Sequence, residues 1–305
     1  MTVFPFKVRD TGEVVSDALA LLREHAKPLG WSVLYIAGPV LLVGGIAAAA
    51  VNLWTAEMLA GLTDTAATAN EDPLLMFGGL ATFWGLAGLS WIVSMLGFVA
   101  VLSVGHGYVS LYAQDVRAGV PRTYEPREVF TEAKRVVGSV VSTTLWIGLL
   151  MAGSVVLTLV PCAGIFAWLV GVLYISGILA PVYMMRVEER IGFWEAFSRC
   201  RKLASDRVGT TILLAFLVFL VYFVLATGLG LPQQIVSYLV MFNVAESSLL
   251  TRGLTVVFSI VSYAGQVVIL VPAFAFALHY YSLIEATEAP WLGQRITEWR
   301  QRIQP

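Results

Sequence analysis

Charge-free apolar runs dominate the chain and set the scale on which everything else is read. A bilayer core of about 30 Å needs about 20 apolar helical residues, and a charge near its centre costs several kcal/mol. Pro28 to Ala56 holds one such run, with Trp31 and Trp54 separated by 23 positions. At 1.5 Å per residue that is about 35 Å, which places an indole at each interface of span 1, residues 29–56. Val136 to Met185 is long enough for two spans, and Leu159 to Gly164 supplies the Pro and Gly of a tight turn between span 3 (139–160) and span 4 (163–185). Val208 to Leu229 and Gly253 to Tyr281 give span 5 (208–230) and span 6 (253–281). Between them, 232–248 has the mixed polar and aromatic content of an outer interfacial segment.

The run from Pro73 to Gln114 has 42 residues, too many for one upright helix and barely enough for two. Charge placement decides between them. With a cytoplasmic amino terminus and one span here, four Lys and Arg precede span 1, five lie between spans 2 and 3, six between spans 4 and 5, and three follow span 6. Only Arg252 is left outside, as the positive-inside rule expects. Two spans would put the Arg117 to Arg135 loop outside. Span 2 (74–114) is therefore tilted or extended, with Leu74 to Gly85 along the outer surface. Pro39, Pro181 and Pro272 are expected to interrupt spans 1, 4 and 6, each freeing a backbone carbonyl.

The charged segments carry a second period. Val15, Ala18, Leu19 and Leu22 recur at i, i+3, i+4 and i+7 in the segment 1–28, an amphipathic helix. Val129 to Arg135 followed by Thr143-Thr144 matches Ala196 to Lys202 followed by Thr210-Thr211 at a constant offset of 67. Interfacial helices over 123–138 and 191–206 follow, each leading into an odd-numbered span, so the chain reads as one helix-plus-two-spans unit used three times. Phe193, Trp194 and Phe197 are expected to enter the acyl boundary, with Lys134, Arg135, Arg201 and Lys202 at the headgroups. These helices either anchor the chain at the inner leaflet or dock a cytoplasmic partner. The fold class is all-α: a polytopic membrane helix bundle with six spans and three amphipathic interfacial helices.

Composition agrees. Of 305 residues 58% are hydrophobic and 13% charged, against soluble averages of about 50% and about 25%. A net charge of −1 excludes a basic field for nucleic acid. The first 27 residues are polar and charged, so no secretory signal is expected, and span 1 directs insertion into a bacterial inner membrane with both termini, the tail 282–305 included, in the cytoplasm. Cys162 and Cys200 fall on opposite sides, which rules out an intrachain disulfide; no Cys/His cluster suggests a metal, and no motif implies a cofactor.

Ile191-Gly192-Phe193-Trp194-Glu195-Ala196-Phe197 resembles bacterial six-helix membrane proteins of unknown function, including the membrane domain attached to some glycerophosphodiester phosphodiesterases. The tail Tyr280 to Glu288, running to Gly293 and Ile296, is similar to the end of related uncharacterised Bacteroidetes proteins. The resemblance covers most of the chain. Ser205-Asp206-Arg207 departs from it, standing where such proteins often place an aromatic residue. It implies no hydrolysis here, because no segment supplies the soluble barrel of about 250 residues.

His106, between Gly105 and Gly107, is the conspicuous intramembrane ionisable group: a satisfied structural residue or a solute or proton site. Asn52 and Gln266 either pair helices at about 1 kcal/mol each or join that site. His279 is expected to snorkel and His25 to lie at the interface. Gly44, Gly45, Ala48 and Ala49, with Gly78, Gly85 and Gly88, suit close helix contact, and no catalytic set is found. The expected function is a non-enzymatic scaffold or accessory subunit whose surroundings are the lipid bilayer and membrane or cytoplasmic protein partners. The alternative is a carrier or channel for a neutral or lipid-like solute.

Overall fold

The computed structural model describes residues 3–65, 73–120, 122–159, 163–241, 249–289 and 293. Among them there is no strand. The helices are α1 (Thr11–Glu24), α2 (Ala26–Ile36), α3 (Gly38–Thr65), α4 (Pro73–Ala118), α5 (Pro126–Ser154), α6 (Ala163–Glu189), α7 (Phe193–Ala204), α8 (Val208–Met241), α9 (Leu249–Ala264) and α10 (Leu270–Thr287). Short 3₁₀ stretches join α7 to α8 and α9 to α10. Six helical stretches are long and apolar enough to cross a membrane: Gly38–Thr55, Trp84–Ala118, Pro126–Ser154, Gly164–Glu189, Phe193–Leu239 and Leu249–Thr287. The chain is an all-α polytopic membrane protein.

Local chemistry explains most boundaries. Asp10 caps α1, accepting from Glu13 N at 2.7 Å, while the Glu13 carboxylate accepts from Asp10 N. Pro126 opens α5, where its missing N–H is no loss. Pro39 and Pro272 sit in the first turns of α3 and α10, so each stands just after a break in its span, at Ala37 and at Gly265–Ile269. Pro181 and Pro232 lie inside α6 and α8. Pro232 does not end span 5: α8 continues through it to Met241, where the sequence suggested a separate outer segment. Residues 242–248 of that segment lie outside the described residues. Apolar helices tolerate an internal Pro when neighbours satisfy the freed carbonyl.

Two further elements run longer than expected. α4 is unbroken through Leu74 to Gly85, because nothing in that run removes a backbone N–H. Its 46 residues make a rod of about 69 Å, over twice the bilayer core. α5 likewise joins the expected interfacial helix and span 3 without interruption. In α1 the buried stripe is Val14, Ala18 and Leu21. Leu19 is exposed instead, since the helix packs on α10 one position round from the anticipated face.

The chain forms two compact units. Unit 1 (Met1–Ser32, Leu102–Tyr222, Ile269–Pro305) packs α6 against α5, α7 and α10, with Tyr108, Tyr112, Phe274, Met184 and Met185 fully buried. Unit 2 (Val33–Val101, Phe223–Val268) is organised by α3 against α9. There α9 buries Thr251, Thr255, Ser259 and Tyr263, one every four residues. α3 meets this stripe with glycine. A Cβ on Gly44 would fall on the Tyr263 ring, and one on Gly45 would lie 2.9 Å from Ile260 Cα.

A ring can swing but a backbone cannot. Gly45→Ala is therefore expected to cost about 1–3 kcal/mol by overpacking, despite alanine's better helix propensity. Gly85→Ala, with open space around it, should be neutral or stabilising. Thermal unfolding in detergent compares the two; equal midpoints would remove the close contact.

Candidate functional site

His106 lies in α4 and is 2% exposed. The two glycines beside it have tight surroundings: a Cβ on Gly105 would meet Leu270 Cδ2 at 2.8 Å, and one on Gly107 would meet Ala133 N at 3.1 Å. Close approach of a side chain at Gly105 and of backbone at Gly107 sets α4 tightly in the interior of unit 1, where the His106 imidazole stacks on Tyr183 with centroids 5.3 Å apart and planes at 11°. The Tyr183 hydroxyl pairs with Thr144 at 3.0 Å. His106 Nδ1 and Ser103 Oγ are buried with no hydrogen-bond partner among the described residues.

Asn52 and Gln266 belong to unit 2 and each makes its own link: Asn52 donates to Ser259 Oγ at 3.0 Å, and Gln266 donates to Ser94 Oγ at 2.8 Å. Both amides tie helix to helix. His106 is in the other unit.

The expected surface residues divide. Trp194, Lys134, Arg201 and Lys202 are exposed and Phe197 is half-buried. Phe193 is buried, stacked on Trp146 of α5 at 5.7 Å, so it packs into protein instead of lipid. Arg135 pairs with Glu132. His279 does not snorkel: it is buried and pairs with the Thr211 hydroxyl at 3.1 Å. His25 is buried too, its Nδ1 2.8 Å from the Tyr108 hydroxyl and its ring edge-on to Tyr108 and Tyr112. A neutral imidazole with a hydroxyl partner is inexpensive to bury, which its sequence neighbours Glu24 and Lys27 conceal. Cys200 donates to Ile178 O at 3.0 Å, and Cys162 lies outside the described residues.

The charged groups the sequence reading used only to orient the spans turn out to be the organised ones. Glu188 of α6 accepts from Ser110 of α4 at 3.0 Å, from Tyr281 of α10 at 3.0 Å and from Arg117 of α4 at 3.3 Å. Tyr280 donates to Glu189 at 3.2 Å, and Arg199 bridges Glu189 and Glu288. Arg9 is buried: it donates to Asp17 at 2.8 Å and to the carbonyls of Phe4, Pro5 and Lys7, while its own N–H donates to Ser282 Oγ at 2.9 Å. Tyr112 donates to Val3 O at 2.5 Å. Tyr280, Tyr281 and Ser282, quoted above only as a pattern, thus each hold a neighbouring element. The sequence shows the adjacent hydroxyls and the adjacent acids Glu188 and Glu189, but not that they meet.

No protein-family model matches the chain, and no curated protein or solved structure matches it. Its chemistry is therefore argued from the groups themselves.

Burial holds the His25 pKa below its ordinary 6.5, with Glu24 pulling weakly the other way. The unfolded chain protonates at about 6.5 while the folded chain resists. Stability from this site is therefore complete above that value and lost as the pH falls below it toward the folded pKa. The thermal midpoint of the wild type should fall more steeply over that interval than that of His25→Gln. Parallel profiles would show that His25 titrates alike in both states.

Proposed function

We propose that this protein is a non-enzymatic scaffold or accessory subunit of a membrane assembly. It lies in the bacterial inner membrane with both termini in the cytoplasm, its amphipathic helices at the inner leaflet, and is kin to the six-helix membrane proteins it resembles. The observation that carries this reading is that the carboxylates at the end of α6 and the cations around them engage one another. Glu188, Glu189, Arg117 and Arg199 are committed to cross-helix pairs, and Arg9 pairs the N-terminal segment with Asp17 of α1. A set of donors and acceptors consumed in this way supports a rigid platform better than a reacting centre, which keeps a nucleophile or base uncommitted. Exposed Trp194 and Phe130, beside Glu195 and Lys134 on the same helices, offer amphipathic surface to lipid or to a partner.

A second reading rests on a different observation. His106 Nδ1 and Ser103 Oγ, both buried and unpartnered, would suit a carrier for a neutral or lipid-like solute.

One preparation separates them. After replacement of Cys162 and Cys200 by Ser, an impermeant maleimide on intact cells should modify a cysteine placed at Asp64 and spare one placed at Arg122; labelling of both would overturn the topology. Solubilised in mild detergent, the same chain should run as a complex of fixed stoichiometry that Trp194→Ser weakens. A chain that purifies alone and takes up solute in a manner lost in His106→Gln would replace the scaffold by the carrier.

A further inference from the structure

Where α6 ends and α7 begins, unit 1 forms an open cavity of about 490 Å³ whose wall includes Arg135, Ser139, Arg186, Arg190 and Gly192. A neighbouring cavity of about 270 Å³ shares Arg135, Val187 and Arg190 and adds Arg117 and Glu188. Two of these four cations are already balanced. Arg135 pairs with Glu132 and Arg117 with Glu188. Arg186 and Arg190 are different: among the described residues no carboxylate forms an ion pair with either.

Arg186 is half-buried and held in place. Its Nη1 donates to Ser139 O at 3.0 Å, Ser142 Oγ at 2.6 Å and Thr143 Oγ1 at 2.7 Å, and its Nε to Ile191 O at 3.4 Å. A purely structural clamp explains those four contacts. It does not explain the charge, because neutral acceptors orient a guanidinium without cancelling it, which leaves a half-buried cation facing the cleft with no counter-ion. Nη2 makes no hydrogen bond among the described residues. Arg190 sits four residues on, at the left-handed φ of 55° that closes α6, its N–H donating to Arg186 O at 3.2 Å. Glycine would adopt that backbone without strain, yet the position carries a second unpaired cation beside the same cavity.

We propose that this cavity binds a phosphate group, with Arg186 and Arg190 as its ligands. A single carboxylate would neutralise only one of the two free charges, whereas a phosphate presents several oxygens and up to two negative charges to two guanidinium forks. Gly192, the N-cap of α7, brings the positive end of that helix to the same wall. The volume exceeds that of a bare phosphate and leaves room for the group it esterifies. Arg186 is in the last turn of α6, a helix long enough to cross the bilayer, so the site lies at the end of a membrane-crossing helix, a depth that suits headgroup phosphates. The ligand is therefore a phosphate ester, carried on an anionic phospholipid or free in solution. This goes beyond the scaffold reading and stands whether or not the chain has protein partners.

The test uses the full chain in neutral detergent, its thermal midpoint followed in sodium phosphate against sodium chloride at matched ionic strength. A second arm reconstitutes it in phosphatidylcholine vesicles with and without phosphatidylglycerol. Phosphate, phosphatidylglycerol or both should raise the wild-type midpoint. Arg186→Gln should abolish the response, and Arg190→Asn, which tolerates the left-handed backbone, should weaken it by about tenfold or more. Lys7→Gln, an exposed cation outside the cavity wall that pairs with Glu13, should respond as wild type. If Arg186→Gln does not fold, Arg190→Asn decides, since its side chain is exposed. A response to phosphatidylglycerol identifies a lipid headgroup, and a response to phosphate alone a free ester. No shift in either arm, an unchanged Arg190→Asn, or an equal loss in Lys7→Gln would overturn the site.

Discussion

A carboxylate withdrawn from water must be surrounded by donors, and unit 1 is arranged so that Glu188 is. Its side chain is only 11% exposed and is met by a hydroxyl and a guanidinium from α4 and a phenol from α10. A hydrogen bond to a charged group contributes about 1.5–3 kcal/mol, so one acid ties three helices to one another. The N-terminal segment is held by the same logic with the sign reversed. Buried Arg9 collects three carbonyls and Asp17, which binds residues 3–9 to α1, and the Arg9–Ser282 link carries that segment to α10.

Unit 2 solves a different problem. In an apolar surrounding, burial of more apolar surface gives helices little reason to associate, so contact depends on how closely the backbones approach and on a few amide or hydroxyl links. Gly44 and Gly45 on α3, facing the four-residue stripe of α9, supply the approach, and Asn52 with Ser259 supplies the link. The two units thus divide the work: charge pairing organises one and small side chains the other.

Length and polarity along the chain were enough to read the six apolar stretches and the all-helical class, because the cost of exposing a backbone amide or a charge to hydrocarbon is large and local. Extents were harder. Pro232 looks like punctuation in a sequence, yet α8 continues through it to Met241. Side-chain roles were hardest, since pairing is a long-range fact. His25 and Tyr108 are 83 positions apart, and Glu188 and Tyr281 are 93 apart. Nothing near either member announces the other. His106 drew attention as a lone ionisable group, while Arg186, counted only as one positive charge among many, proved to have the less ordinary surroundings.

The claim on which this account rests is that Glu188 couples α6 to its neighbours through these particular bonds. A double-mutant cycle of Glu188→Gln and Tyr281→Phe, read as unfolding free energy in detergent, tests it most directly. Each single change should destabilise, and the double mutant should lose less than their sum, leaving a coupling of about 0.5–3 kcal/mol. Additive losses would mean that the two groups do not share an interaction, and the charge-centred organisation of unit 1 would be contradicted.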